Sequence, residues 1–221
     1  MQLDHITFAC QSLTQAQTFA LERFGVTLPE GGAHHEMATH NLLTRIAPHT
    51  FLEFIAINPS VAAPPRPRWF NLDGFEQSSF LSAGPRLIGW VASVPDIHAA
   101  LRFLPFAVGE SVGISRGKLN WKMAISKDGS LPMKGFAPTL IEWAENQSPV
   151  SVMQEVGVRL AGFAIHHPLA ANWHKAAKDH GWDDLAADHA MVTWVSSERE
   201  NLQITLQTPK GLVHISQASD F

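Results

Sequence analysis

The sequence predicts an α+β fold built from repeated βαβββ units, and three observations predict it. Two segments repeat one another, Phe51-Leu52-Glu53-Phe54-Ile55 and Leu140-Ile141-Glu142-Trp143-Ala144, each an apolar run interrupted by one carboxylate. Each closes a stretch that opens with an apolar strand pattern, Leu3-Asp4-His5-Ile6-Thr7-Phe8-Ala9 and Leu87-Ile88-Gly89-Trp90-Val91-Ala92. After each opening, apolar residues fall at matching helical positions, Leu13, Ala16 and Phe19 against Ile97, Ala100 and Phe103. Self-similarity of this kind marks a duplicated supersecondary unit.

The elements follow in order. Residues 3–10 alternate and are rich in β-formers, so they read as a strand. Ser12 is a helix N-cap, and residues 13–24 carry apolar groups at helical spacing up to Gly25. Val26–Pro29, a turn at Gly31-Gly32 and strands near 40–47 and 50–57 complete the first unit. The stretch 58–85, with Pro59, Pro64, Pro65 and Pro67, reads as a linker or excursion, and its Trp69-Phe70 pair can cover the core or a site. The second pass gives a strand at 86–94, a helix at 96–104 after Pro95, and strands near 106–112, 118–126 and 138–144. The third begins after Pro149: a strand at 157–166, a helix over Pro168–His180 with Pro168 in its first turn, and strands near 188–195, 201–208 and 211–216. The expected organisation is a first unit over 1–58, an excursion over 59–85, a second unit over 86–149 and a C-terminal βαβββ-like unit over 150–221, in one compact domain.

Composition narrows the function classes. Net charge is −4 with no clustered Lys and Arg, so a nucleic-acid surface is not expected. No apolar run is long enough to span a membrane, and the N-terminus has no signal-peptide pattern. The single Cys10 rules out an internal disulfide and fits a reducing, cytoplasmic setting. It reads as a small buried filler, because no base can be placed beside it. The Walker A, HExxH and dinucleotide-binding motifs are absent from the sequence.

Three groups of polar residues remain. A carboxylate in an apolar run needs a partner, a metal or a shifted pKa. If the first unit curls so that its first and last strands face one concavity, His5 and Glu53 meet there, and Glu142 supplies the matching carboxylate from the second unit. Imidazole plus carboxylates is a donor set for Zn, Mn, Fe or Ni. The competing reading is a buried His5–Glu53 hydrogen-bonded pair, with Glu142 solvated or bound to an Arg. The second group, Gly31-Gly32-Ala33-His34 with Asn41, is either a polar wall of the same concavity or an exposed turn. The third is Arg116, Lys118, Asn120 and Trp121, with Arg116 a bidentate clamp for carboxylate or phosphate or else a surface Arg. Trp90, Trp121 and Trp69 are candidates for the cavity wall. The third unit has Ala161-Gly162 where an opening polar residue would stand, so His166, His167 and His214 read as structural. Its apolar surface is expected to be covered by the first two units or across a two-fold homodimer.

Taken together, Leu3-Asp4-His5, Gly31-Gly32-Ala33-His34, Thr39-His40-Asn41-Leu42, Phe51-Leu52-Glu53-Phe54, Arg116, Leu119, Trp121 and Leu140-Ile141-Glu142-Trp143 resemble the vicinal-oxygen-chelate superfamily, in particular its glyoxalase-like domain proteins. The resemblance implies the fold of the glyoxalase, bleomycin-resistance and dioxygenase proteins, in which paired units form a cup. It places metal ligands at His5, Glu53, Gly89 and Glu142. Gly89 has no side chain, which leaves three ligands, with His34 as a candidate for the gap. The implied function is to bind or act on a small molecule, with Glu53 and Glu142 catalytic and His34, Asn41, Arg116 and Trp121 binding substrate. Metal-dependent lyase, isomerase or dioxygenase chemistry fits such a site. The alternative is a metal-free binding or sequestering protein.

Overall fold

A computed structural model of the chain describes residues 1–146, 148–179 and 192–217. The first unit comprises β1 (Gln2–Ala9), α1 (Leu13–Arg23), β2 (Glu30–His34), β3 (Thr39–Ala47) and β4 (Thr50–Ile57). The excursion contains a short helix, α2 (Leu72–Glu76). The second unit comprises β5 (Arg86–Ser93), α3 (Ile97–Phe103), β6 (Glu110–Arg116), β7 (Leu119–Ile125) and β8 (Thr139–Trp143). Then come β9 (Arg159–His167), α4 (Ala170–Asp179), β10 (Val192–Ser196), β11 (Asn201–Thr208) and β12 (Gly211–Ser216). Residues 188–191 of the expected tenth strand, and His180 of the expected helix, lie outside the described residues.

The first two units share one sheet in the order β2-β3-β4-β1-β5-β8-β7-β6. In each, the opening strand runs parallel to the closing strand, β1 beside β4 and β5 beside β8, and the units join through the antiparallel pair β1–β5. The sheet curls until its two edges meet. Glu36, just after β2, accepts hydrogen bonds from the Ser115 backbone N–H (3.2 Å) and hydroxyl (2.8 Å) on β6. The result is an α+β fold of the kind the duplication predicts.

Strand alternation sorts side chains onto the two faces of the sheet. From β4, Leu52, Phe54 and Ala56 enter an outer core with Phe8, Trp90, Ala16 and Ala20 of α1, and Ala100 of α3. The helices begin where their caps dictate: Ser12 Oγ accepts from the Gln15 N–H (3.1 Å), and Asp96 Oδ1 from the Ala99 N–H (2.9 Å). The third unit forms a separate four-stranded sheet, β10-β9-β11-β12, whose Phe163, Ile165, Leu202, Ile204 and Leu206 enter the same outer core. Its apolar face is thus buried against the first two units. It keeps the element order of a βαβββ unit but not the arrangement, since β9 pairs in parallel with β10 rather than with the last strand.

The inner face of the curl holds a second core. Trp69, Phe70, Leu72, Phe75 and Leu81 of the excursion pack there against Ile55, Ile88, Val91, Met123, Ile125 and Ile141. The excursion is therefore a plug that fills much of the cup. Two local expectations shift. The Gly31-Gly32 pair lies within β2 rather than in a turn, and β6 starts at Glu110 rather than 106. At Gly109 (φ +97°) an added Cβ would stand 2.2 Å from the Ile125 carbonyl carbon, so a tight turn precedes the strand. Among the described residues no helix is long and apolar enough to cross a membrane.

Candidate functional site

The polar wall of the cup begins with an irregularity in β1. Leu3 pairs with Ala92 and His5 with Val91, which leaves Asp4 as an extra residue, a β-bulge. Consecutive strand residues ordinarily point to opposite faces. Here both are buried, and Asp4 Oδ1 lies 2.6 Å from His5 Nδ1. The other Asp4 oxygen accepts from the Trp143 indole N–H at 2.7 Å. The His5 ring is stacked on Phe51, with centroids 4.5 Å apart.

His5 Nε2 faces Glu53 Oε2 at 3.5 Å, an ion-pair distance too long for a normal hydrogen bond. Glu53 Oε1 accepts from the Asn41 side-chain N–H at 2.7 Å, while Oε2 is buried with no hydrogen-bond partner in the protein. Asn41 Oδ1 in turn lies 3.4 Å from Arg116 Nη1, which also approaches His34 Nε2 at 3.3 Å. His34 Nδ1 lies 3.1 Å from Thr39 Oγ1. The two glycines of β2 make room for this arrangement. A Cβ on Gly31 would stand 2.2 Å from Asn41 Oδ1, and one on Gly32 3.1 Å from Arg116 Cδ.

Charge follows from these contacts. Burial alone would lower the His5 pKa, but the bond to Asp4 and the pairing with Glu53 outweigh it and raise it to about 9. Burial lowers His34 to about 4, with Glu53 opposing and Arg116 assisting, so this ring is neutral near pH 7. Arg116 then donates to Nε2, and Nδ1–H donates to Thr39. Burial would raise the Glu53 carboxyl, yet His5 and Asn41 hold it below its ordinary value.

A cavity opens onto this wall, lined by His5, His34, Asn41, Glu53 and Arg116 together with Leu43, Phe51, Trp69, Trp121, Met123, Ile141, Trp143, Pro149 and Met153. It is a narrow cavity of about 30 Å³. The structure therefore brings His5, Glu53, His34, Asn41, Arg116 and Trp121 together.

Glu142 is placed elsewhere. Trp121 pairs with Trp143 and Met123 with Ile141, and all four line the cavity, so the intervening Glu142 projects from the opposite face of β8. There it accepts from the Ile97 N–H at the start of α3 (2.8 Å) and pairs with Lys122 Nζ (2.8 Å). Its place in the repeat matches Glu53, but its strand phase does not, and a one-residue slip turns a side chain to the other face. Trp90 likewise belongs to the outer core, donating to the Phe136 carbonyl at 3.0 Å.

The donors present do not fit a catalytic metal ion, which takes three protein ligands. Only His5 Nε2 and Glu53 Oε2 converge. Both His34 nitrogens are engaged, and a guanidinium stands in the same cavity. At Gly89 an added Cβ would stand 3.3 Å from Gly135 Cα and 3.4 Å from Leu131 Cδ2, so that place is closed. Among the described residues no group of three or more His, Cys, Asp or Glu side chains is placed to hold a metal ion.

Sequence reasoning gave no role to Asp4, Phe51 or Trp143. The one available signal was an acid beside a histidine in an otherwise apolar run, and it needs the bulge to become meaningful. In the third unit, His167 accepts from the Leu169 N–H (3.0 Å) and stacks on Trp173 (4.2 Å), a strand-to-helix corner.

Paired βαβββ units curled around a polar-walled cup are the architecture of the vicinal-oxygen-chelate superfamily. The chain belongs to the family described as the glyoxalase-like domain, whose model matches residues 3–200. A crystal structure of a hypothetical protein from Staphylococcus aureus is similar at TM-score 0.50 and 13% identity, covering 97% of this chain and 84% of that one. Methylmalonyl-CoA epimerase from Mycobacterium tuberculosis is similar at TM-score 0.42 and 18% identity, over 65% of this chain and 88% of that one. A xylose isomerase-like TIM barrel/4-hydroxyphenylpyruvate dioxygenase fusion protein is similar at TM-score 0.41 and 18% identity, over 97% of this chain and 31% of that one. At 13% identity the likeness to the Staphylococcus aureus protein is one of fold. No curated protein matches the chain in sequence.

Proposed function

We propose that the protein binds a small molecule in the cup of its eight-stranded sheet, holding it with its own side chains rather than through a resident metal ion. The observation that carries this reading is the charge balance of the wall. The Asp4 and Glu53 carboxylates stand against the His5 imidazolium and the Arg116 guanidinium, bridged by Asn41. A divalent cation there would meet the Arg116 guanidinium, would have to displace the His5 proton, and would find only His5 Nε2 and Glu53 Oε2 placed to hold it. Apolar walls with a few placed polar groups are the common make-up of ligand pockets, and Phe51, Trp69, Trp121 and Met153 supply the apolar part.

The test has two arms. Metal analysis of purified protein, followed by titration with Zn, Mn, Fe and Ni ions, is expected to give no stoichiometric ion. A panel of small anionic, neutral and cationic compounds is expected to quench tryptophan fluorescence, with Glu53→Gln weakening the response. A stoichiometric ion lost in both His5→Gln and Glu53→Gln would overturn the metal-free reading. Silence across the whole panel would overturn ligand binding.

A further inference from the structure

Building on that reading of the cup, we infer the class of its ligand: a small carboxylate, gripped at its carboxyl end by Arg116 and the indole N–H groups of Trp69 and Trp121, and bearing a hydroxyl that meets Glu53. Four observations carry this. Trp69 and Trp121 are 3% and 6% exposed, and neither indole Nε1 has a hydrogen-bond partner in the protein. A buried donor left unpaired costs about 1–3 kcal/mol, so such groups are uncommon and call for an explanation. Both rings line the one cavity and flank His34, with centroids 5.0 and 5.9 Å from its ring. The third unpartnered atom on that cavity is an acceptor, Glu53 Oε2.

Arg116 adds the charge. It is partly buried, and its protein contacts are two long ones through a single nitrogen, to the neutral acceptors His34 Nε2 and Asn41 Oδ1. Among the described residues no carboxylate lies within ion-pair distance of it. The lining of the cup thus includes a guanidinium, two N–H donors without partners and a carboxylate oxygen that accepts no hydrogen bond from the protein.

The alternatives match this pattern less well. A cation would be repelled by Arg116 and His5. A neutral carbonyl would satisfy the indoles but leave the guanidinium unpaired. A carboxylate brings two oxygens with about four lone-pair sites, enough for the guanidinium and both indoles. The Glu53 oxygen, facing His5 Nε2 at 3.5 Å but accepting no hydrogen bond, can take one from a donor on the ligand, and an adjacent hydroxyl is the smallest neutral one. The narrow cavity favours the smallest such acids, and a monoanionic carboxylate is favoured over phosphate because a second negative charge would be repelled by Glu53.

The experiment titrates acetate, glycolate, glycolamide and inorganic phosphate into the wild-type protein and into Trp69→Phe, Trp121→Phe and Arg116→Gln, following indole N–H resonances in ¹H–¹⁵N spectra. The two substitutions to Phe assign the signals and keep an aromatic ring in place, and the remaining indole signals report whether each variant is folded. Glycolate is expected to bind about tenfold more tightly than glycolamide and several-fold more tightly than acetate, moving both assigned signals. Each Trp→Phe change is expected to weaken glycolate about fivefold to tenfold, and Arg116→Gln to erase the preference for the charged compound. If glycolamide binds as well as glycolate, if phosphate binds more tightly, or if both indole signals stay still at saturation, the carboxylate assignment falls while ligand binding in the cup stands. If no compound of any charge class perturbs the cup, both fall together.

Discussion

His5 is buried between two carboxylates, and its protonation ties the site to stability. Its pKa is about 9 folded against an ordinary 6.5, so its contribution is fully present below pH 6.5 and is lost as pH rises through 9. A shift of that size is worth on the order of 3 kcal/mol. Glu53 acts in the other direction. Its folded pKa is depressed, so its contribution is present above 4.5 and lost as pH falls through the folded value. His34, lowered to about 4, also costs stability as pH falls from 6.5 towards 4, because only the unfolded chain takes up its proton there. Stability from this site is therefore greatest near pH 6.5. Subtracting the urea-unfolding free energy of His5→Gln from that of the wild type cancels most other titrations. The difference is expected to shrink by about 3 kcal/mol between pH 6.5 and pH 10. A difference that stays constant would contradict the ionised pair. At this scale the sequence marked His5 and Glu53 well, since polar groups in apolar runs stand out, but the Asp4 partnership was hidden by the rule that neighbours on a strand point apart.

The strands explain what was legible and what was not. The duplication located nearly every element, and the sequence also marked the Ser12 N-cap of the first helix, because period and capping are local properties. Phase is not local where a strand is apolar on both faces. In Leu140-Ile141-Glu142-Trp143 nothing in the sequence states which residues face the cup, and pairing with β7 decides it. The bulge at Asp4 and the close approach of Asn41 and Arg116 to the β2 glycines are likewise tertiary facts. The structural position of Glu142 has a measurable consequence. It caps the first turn of α3 and forms a partly exposed pair with Lys122, roles that together are worth about 1 kcal/mol. Glu142→Gln is expected to lower unfolding free energy by about that amount and to leave ligand titrations of the cup unchanged. A large loss of binding with unchanged stability would return Glu142 to the site.

Across the molecule, the cup is held from two sides. Inside, the excursion supplies Trp69 and the plug of Phe70, Leu72 and Phe75, and the Glu36–Ser115 contacts join the rims. Outside, the third unit lays its sheet over the outer face, where Phe163 meets Trp90 edge-on at 5.8 Å and Trp90 meets Trp194 at 6.0 Å. Trp90 sits on β5, the neighbour of the strand that carries His5, so the two sheets share one core rather than two. A shared core unfolds as one cooperative unit. Phe163 is 2% exposed, and removing a buried aromatic side chain costs about 3–5 kcal/mol. Phe163→Ala is therefore expected to move the whole denaturation curve by that amount. Far-ultraviolet dichroism and the tryptophans of the cup should report the same midpoint. Affinity for a cup ligand in the folded fraction should be unchanged, because Phe163 touches the outer core and not the cavity. Two separated transitions, with the cup melting at its original midpoint, would show instead that the third unit is an independent attachment whose packing does not support the site.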